Sequence, residues 1–392
     1  MSVQPTGHVW RFSVMPIRDP HEQHRSVTSL ELLFDLVSVV AVGQAVTSLY
    51  RSIIDGHLPQ GVVGYAAVFS AIWWAWANWM WFTSAFDNDD TIYRISTFVQ
   101  MAGALVLAVG VSEAFEGHVG IAVTGYAIMR FAMVGQWLRA AVANPDVRPA
   151  ALRFAVGVTV VQLLWIARLA IPAPWSWITF VVLAAVELAI PWWAVHGRPL
   201  PWHPQHIAER YALFTMIVLG GTVLALTITI KSVMVPGASV RSLVLSCVSG
   251  IVVVCSMWWL YHGRPAHRFP QDNRSVFLWS YGYYFVLSSI AAFGAGLAVI
   301  VDYRVVGSRF PGLMDLSTML LGATAVVPVT VFLLSVWALH IRPRCLRSAR
   351  SATYLLAALL VLLTLFTLVP LVLTALIMIG AVFTVELIQD DI

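Results

Sequence analysis

The feature that most constrains this chain is its segmentation. Apolar runs long enough to cross a bilayer follow one another from residue 29 to residue 388, and the charges are gathered into the breaks between them. Hydrophobic residues fill 59% of the 392 positions and charged residues 11%, with a mean hydropathy of +0.82. No soluble core absorbs that much apolar surface, so the bilayer must be the solvent for most side chains. The runs lie near 29–50, 61–83, 94–114, 119–142, 150–171, 175–196, 207–230, 240–262, 275–301, 313–339, 351–368 and 370–388. A transmembrane barrel would alternate in segments of about 10 residues, whereas a run such as Leu355 to Leu363 is apolar on every side. The fold expected is therefore all-α: a polytopic integral membrane bundle of about twelve helices. Only Val369 and Pro370 separate the last two runs, so one span or two is open there.

Residues 1–28 are polar, with Arg11, Arg18 and Arg25 and no apolar core or small-residue cleavage site, so a cytoplasmic N-terminal segment is expected rather than a signal peptide. An inside N-terminus puts 16 of the 23 basic residues, among them Arg344 and Arg347, on the cytoplasmic side. It leaves Arg51, Arg168, Lys231, Arg241, Arg304 and Arg309 outside. Both termini are then cytoplasmic. The net charge of +4 follows from basic inner loops and calls for no nucleic acid. Cys247 and Cys255 share a span and Cys345 lies in an inner loop, which gives neither a disulfide framework nor a zinc-like spacing.

The segment 197–206, with Pro199, Pro201 and Pro204, reads as a linker between a first half, 29–196, and a second, 207–392. Faint echoes (LLFDL at 32–36 with ALFTM at 212–216, Trp73-Trp74 with Trp258-Trp259) and an even number of spans per half suggest two parallel six-helix repeats. Gly294 and Gly296 with Ala291, Ala292 and Ala298, and the pair Gly220-Gly221, make small-residue faces suited to close helix packing or to a broken helix. The run WWAWANWMW at 73–81 fits either an interfacial belt or an aromatic wall facing the bundle.

Against this apolar background a few ionisable residues stand out. Glu31 and Asp35 are one helical turn apart on one face of the first span, and like charges that close in low dielectric favour retention of a proton on one of them. Thr28 to Glu31 also has the spacing of a capping box. Arg130 lies in mid-span and needs a partner, with Asp35 and Glu187 the two acids placed to supply it, or else a ligand carboxylate. Glu187 precedes Pro191, whose missing N–H frees backbone carbonyls. Asp35, Arg130 and Glu187 are expected to line one polar interior. His206, Glu209 and Arg210, following His203 at the start of the seventh span, read as a gate or helix cap; Pro204 and the spacing speak against a metal site. Asp87, Asp89 and Asp90 before Arg94 fit helix-terminus chemistry better than a cation site. No phosphate loop or nucleophile-elbow motif is present, which excludes ATP hydrolysis by the usual signature.

Residues 25–46, RSVTSLELLFDLVSVVAVGQAV, resemble the bacterial low-temperature-requirement A family, and further segments at 86–115, 125–141, 186–194, 201–220 and 281–297 match in order. The resemblance implies a polytopic membrane protein without fixing a reaction. The chain departs from the family pattern where a usual Gly-Glu is Gly220-Gly221, a usual Tyr-Phe-Asp is Tyr261-His262-Gly263, and a usual Tyr-Gly-His-Tyr is Tyr281-Gly282-Tyr283-Tyr284. Gln44 of the first matching segment, Trp74 and Trp258 of the echoed tryptophan pairs, and Tyr283 complete the expected ligand contacts, with Arg130 and Glu187.

Two functions fit these residues. One is a carrier in a bacterial cytoplasmic membrane that binds a lipophilic or amphipathic small molecule and moves it, coupled to protons through Asp35 and Glu31. The other is an intramembrane enzyme, for example a cyclase or isomerase, using the same carboxylates as general acid or base. Neither requires a cofactor or metal.

Overall fold

The computed structural model describes residues 15–18, 27–86, 89–172, 175–197, 200–233, 239–263, 273–306, 317–343 and 348–388. Arg11, Arg25, Asp87, Arg198, Pro199, Arg309, Arg344, Cys345 and Arg347 lie outside the described residues. The described chain is helical, apart from an isolated antiparallel bridge between Ile17 and Phe86.

Among the described residues twelve α-helices follow in order: α1 Ser29–Ile54, α2 Leu58–Ala85, α3 Thr91–Phe115, α4 Gly120–Ala143, α5 Arg148–Ala167, α6 Trp175–Ala194, α7 Pro204–Val233, α8 Val240–His262, α9 Asn273–Val306, α10 Thr318–Val336, α11 Ala349–Leu363 and α12 Pro370–Leu387. Ten of the helical segments are long and apolar enough to cross a membrane. By that measure α2 and α4 are less apolar, since α2 is rich in tryptophan and α4 carries Arg130 and Gln136. Both turn these groups inward: Trp76, Trp79, Arg130 and Gln136 are all buried. The chain is a multi-pass membrane protein. The ambiguous last run is two helices, because a 3₁₀ turn at Thr364–Phe366 ends α11 and Pro370, with no N–H to lose, opens α12.

Helix α1 shows how sequence sets orientation. Its buried residues Glu31, Phe34, Asp35, Ser38, Ala41, Val42 and Ala45 recur every three or four positions, while Leu33, Leu36 and Val40 lie exposed on the opposite side. In a membrane that apolar outer face meets acyl chains, so the polar residues must face inward. Enclosure varies from helix to helix: 83% of an 18-residue apolar stretch of α9 is buried against 22% for α6. Close approach requires glycine at two crossings. A Cβ on Gly125 of α4 would lie 2.2 Å from Leu107 N of α3, and one on Gly296 of α9 would lie 2.0 Å from Thr324 O of α10. Gly296 therefore gives the small-residue face of α9 a packing role.

The described residues form two compact units, one drawn from Met1–Ser38, Trp74–Gly110 and His118–Ile207, the other from Val39–Trp73, Val111–Gly117 and Ala208–Ile392. Each of α1 to α3 contributes to both, and α7 begins in the first and continues in the second.

Candidate functional site

In the first unit, the start of α1 is built as a capping box. Thr28 N donates to Glu31 Oε2 at 2.8 Å and Glu31 N donates to Thr28 Oγ1 at 3.2 Å. The other carboxylate oxygen, Oε1, lies 3.2 Å from His206 Nε2, and both side chains are almost wholly buried. Glu31 thus caps the helix with one oxygen and faces an imidazole with the other. His206 is itself positioned by the opening turn of α7, where His203 Nδ1 accepts from His206 N at 3.2 Å and His203 N donates to Ser84 Oγ at the end of α2. One turn further along α1, Asp35 is fully buried and accepts from Trp76 Nε1 at 2.7 Å. Phe34 stacks on Trp79 with ring centroids 3.9 Å apart, so α2 presents its indoles to α1. The tryptophan run faces the interior: Trp73, Trp74, Trp76, Trp79 and Trp81 are all buried.

A second centre in this unit joins α4, α5 and α6. Arg130 Nη2 pairs with Glu187 Oε1 at 3.0 Å, which decides between the two acids expected for it. The same carboxylate accepts from Tyr126 Oη at 2.6 Å and Trp165 Nε1 at 2.8 Å. Three donors, one of them cationic, hold Glu187 as a buried carboxylate. Near the α3 terminus Asp90 accepts from Tyr93 N at 2.8 Å and pairs with Arg139 at 2.5 Å, while Asp89 pairs with Arg94. Both acids thus do helix-terminus work.

The second unit holds two further groupings. Asp302, buried near the end of α9, accepts from Tyr50 Oη of α1. It lies one residue past the ninth apolar run, 275–301, and so outside the residues expected from sequence, while the helix continues to Val306. The aspartate at the end of an unbroken helical pattern was the available signal. Deeper in the unit, Tyr283 Oη lies 2.7 Å from Tyr261 Oη and 2.8 Å from His340 Nε2. His340 is carried on a π-helical turn, Trp337–Ile341, that continues α10. Tyr211 and Trp279 pack on Tyr283 with centroids 4.3 Å away.

Of the expected ligand contacts, Arg130 and Glu187 meet directly, Trp74 is buried on α2, and Tyr283 is buried in the tyrosine cluster. Gln44 is exposed on α1, and Trp258 is 44% exposed, stacked on His262. In the expected gate His206 is paired with Glu31, Arg210 is fully buried and Glu209 is exposed. Cys247 and Cys255 are free thiols. Among the described residues, no group of three or more His, Cys, Asp or Glu side chains is placed to hold a metal.

Among known proteins, an uncharacterized protein of Rhizobium meliloti (strain 1021) is 26% identical over 300 residues, covering 70% of each chain. No solved structure matches. The sequence profile described as bacterial low temperature requirement A protein (LtrA) matches residues 26–386, from the capping box of α1 to the last turn of α12. A match across nearly the whole chain, on a many-helix membrane fold, places this protein in the bacterial low temperature requirement A family.

Proposed function

We propose that this protein binds a lipophilic or amphipathic small molecule within the bacterial cytoplasmic membrane and moves it, with Asp35, Glu31 and His206 exchanging the coupling proton. The observation that carries this reading is a pair of buried carboxylates one helical turn apart on α1, one of them 3.2 Å from a buried imidazole. Imidazole changes charge near neutral pH, and a carboxylate one turn away supplies a second stop for the proton. Glu187 suits the task less well, since a proton on it would strand the Arg130 cation in low dielectric. Indoles buried on α2 favour a partly apolar cargo.

The test begins with the molecule that co-purifies with the protein, extracted and identified by mass spectrometry. Its isotope-labelled form is then offered to proteoliposomes under an imposed proton gradient. Accumulation that collapses with the gradient, and is lost in Asp35→Asn, supports carriage. Chemical conversion without net movement supports the enzymatic reading. That second reading has its own observation: the indole of Trp76 bonds Asp35, and Phe34 and Trp79, buried and stacked on each other, lie on the same two helices, apolar surroundings suited to a general acid serving a lipophilic substrate.

We also infer that both termini are cytoplasmic, because that orientation keeps 16 of the 23 basic residues inside. A C-terminal cysteine that reacts with an impermeant maleimide in intact cells would reverse it.

A further inference from the structure

Four neighbouring helices of the first unit place polar residues at one depth. In α4 and α5, Trp137 stacks on Phe154 at 4.2 Å, and Tyr126 and Trp165 bond the same carboxylate. Counting along two antiparallel helices between these ties puts Arg130 level with Val161 and Gln162. In α3 and α4, Ser96 Oγ donates to Ala132 O, and a Cβ on Gly103 would lie 2.8 Å from Gly125 O. The same count brings Gln100 to within about 3 Å of Arg130 along the axis, two residues of helical rise. In α5 and α6, the Trp165 bond to Glu187 and the packing of Gly157 on Ile190 set Gln162 level with Glu187.

Gln100, Arg130, Gln162 and Glu187 are all buried. Gln100 Nε2, Gln162 Nε2 and Arg130 Nε are enclosed with no hydrogen-bond partner among the described residues. Native interiors rarely leave one such donor unanswered, and here three lie at one level. Glu187 does not answer them: it accepts from Arg130, Tyr126 and Trp165, which leaves about one lone pair for three donors. The layer therefore lacks an acceptor.

From this juxtaposition we infer a binding site for the neutral hydrogen-bond-accepting head, a carbonyl or hydroxyl oxygen, of a lipophilic molecule. Charge decides against an anion. The Arg130–Glu187 pair sums to zero, so a carboxylate or phosphate would carry an uncompensated charge into low dielectric, whereas a carbonyl or hydroxyl brings none. Glutamine amides suit such a head because each offers a donor and an acceptor. The site stands apart from any role of Asp35.

The probe is benzophenone, a lipophilic ketone that on irradiation inserts beside its own carbonyl. Protein in phosphatidylcholine nanodiscs is irradiated with it and the adducts are mapped by peptide mass spectrometry. Adducts are expected on Met129 and Met133, which flank Arg130 on the buried face of α4. An excess of dodecan-1-ol should suppress them and an equal concentration of dodecyl sulfate should not. The double variant Q100L/Q162L, checked for an unchanged or raised melting temperature, should lower labelling about tenfold or more, the loss of two hydrogen bonds. Asp35→Asn should leave labelling intact, so a failure of the proposed carriage does not touch this site. Labelling confined to outward residues such as Leu33 and Val181, adducts equally strong in the double variant, or suppression by the sulfate alone overturns the inference. So does a wild-type protein with no adduct on α4, the result expected of a layer that encloses only water.

Discussion

In the first unit the buried acids meet nitrogen donors: Glu31 meets His206, Asp35 meets Trp76, and Glu187 meets Arg130 with a tyrosine and a tryptophan beside it. In the second, Asp302 meets a tyrosine hydroxyl, and the chain from Tyr261 through Tyr283 to His340 contains no carboxylate. The departures His262 and Tyr283 from the family pattern both fall in the second region. A buried ion pair binds its two members to each other, because either one alone is a charge without solvent. A chain of hydroxyls and imidazole loses one or two neutral hydrogen bonds when a member is removed, and strands no charge. The first region is therefore the brittle one, and substitutions should expose the difference.

The largest effect is expected from Glu187→Ala, which strands Arg130 and should cost about 3–5 kcal/mol of stability. Thermal unfolding of the purified protein measures it, and the double variant R130M/E187L should recover most of the loss. A single variant that melts like the wild type would end the contrast between regions. Next comes Gly296→Ala, where a methyl group overlapping Thr324 O forces α9 and α10 apart at a cost of about 1–3 kcal/mol. Gly125→Ala should cost a similar amount in the first region, since packing, unlike charge, does not distinguish them. A large difference between these two would mean that the first unit is fragile for reasons other than its ion pair.

Comparable is Tyr283→Phe, which removes one hydroxyl and its two hydrogen bonds from the second region and should cost about 1–3 kcal/mol. The least change in stability belongs to Asp35→Asn, because the amide oxygen can still accept from Trp76; a shift below about 1 kcal/mol is expected. Its proton-driven accumulation should nonetheless be lost. A stable variant with full accumulation would remove Asp35 from the proposed mechanism.

The positions of the twelve helices were legible because lipid leaves a chain few options: apolar length reports a span directly. Glu31 and Asp35 were legible for the same reason, as charges inside an apolar run. Partner choice was less so. Arg130 had two acids available to it, and only the packing of α4 through α6 brings Glu187 to it, while Asp35 is met by Trp76 from α2. Glutamines at 100 and 162 drew no attention, since an uncharged amide hardly interrupts an apolar run, and their shared depth depends on helix register that no single run contains. Asp302 was lost to a boundary drawn a few residues early.

The π-helical turn at Trp337–Ile341 has a consequence for how this protein varies. Its wide loop, closed by Arg342 N donating to Trp337 O at 2.8 Å, holds one residue more than an α-turn needs. Deleting Leu339, the residue just before His340, would let the turn close as an ordinary α-turn. The imidazole of His340 would then leave the turn at a different angle from the one that sets it against Tyr283. A one-residue change in that turn is thus expected to disconnect the tyrosine chain without touching any residue in it.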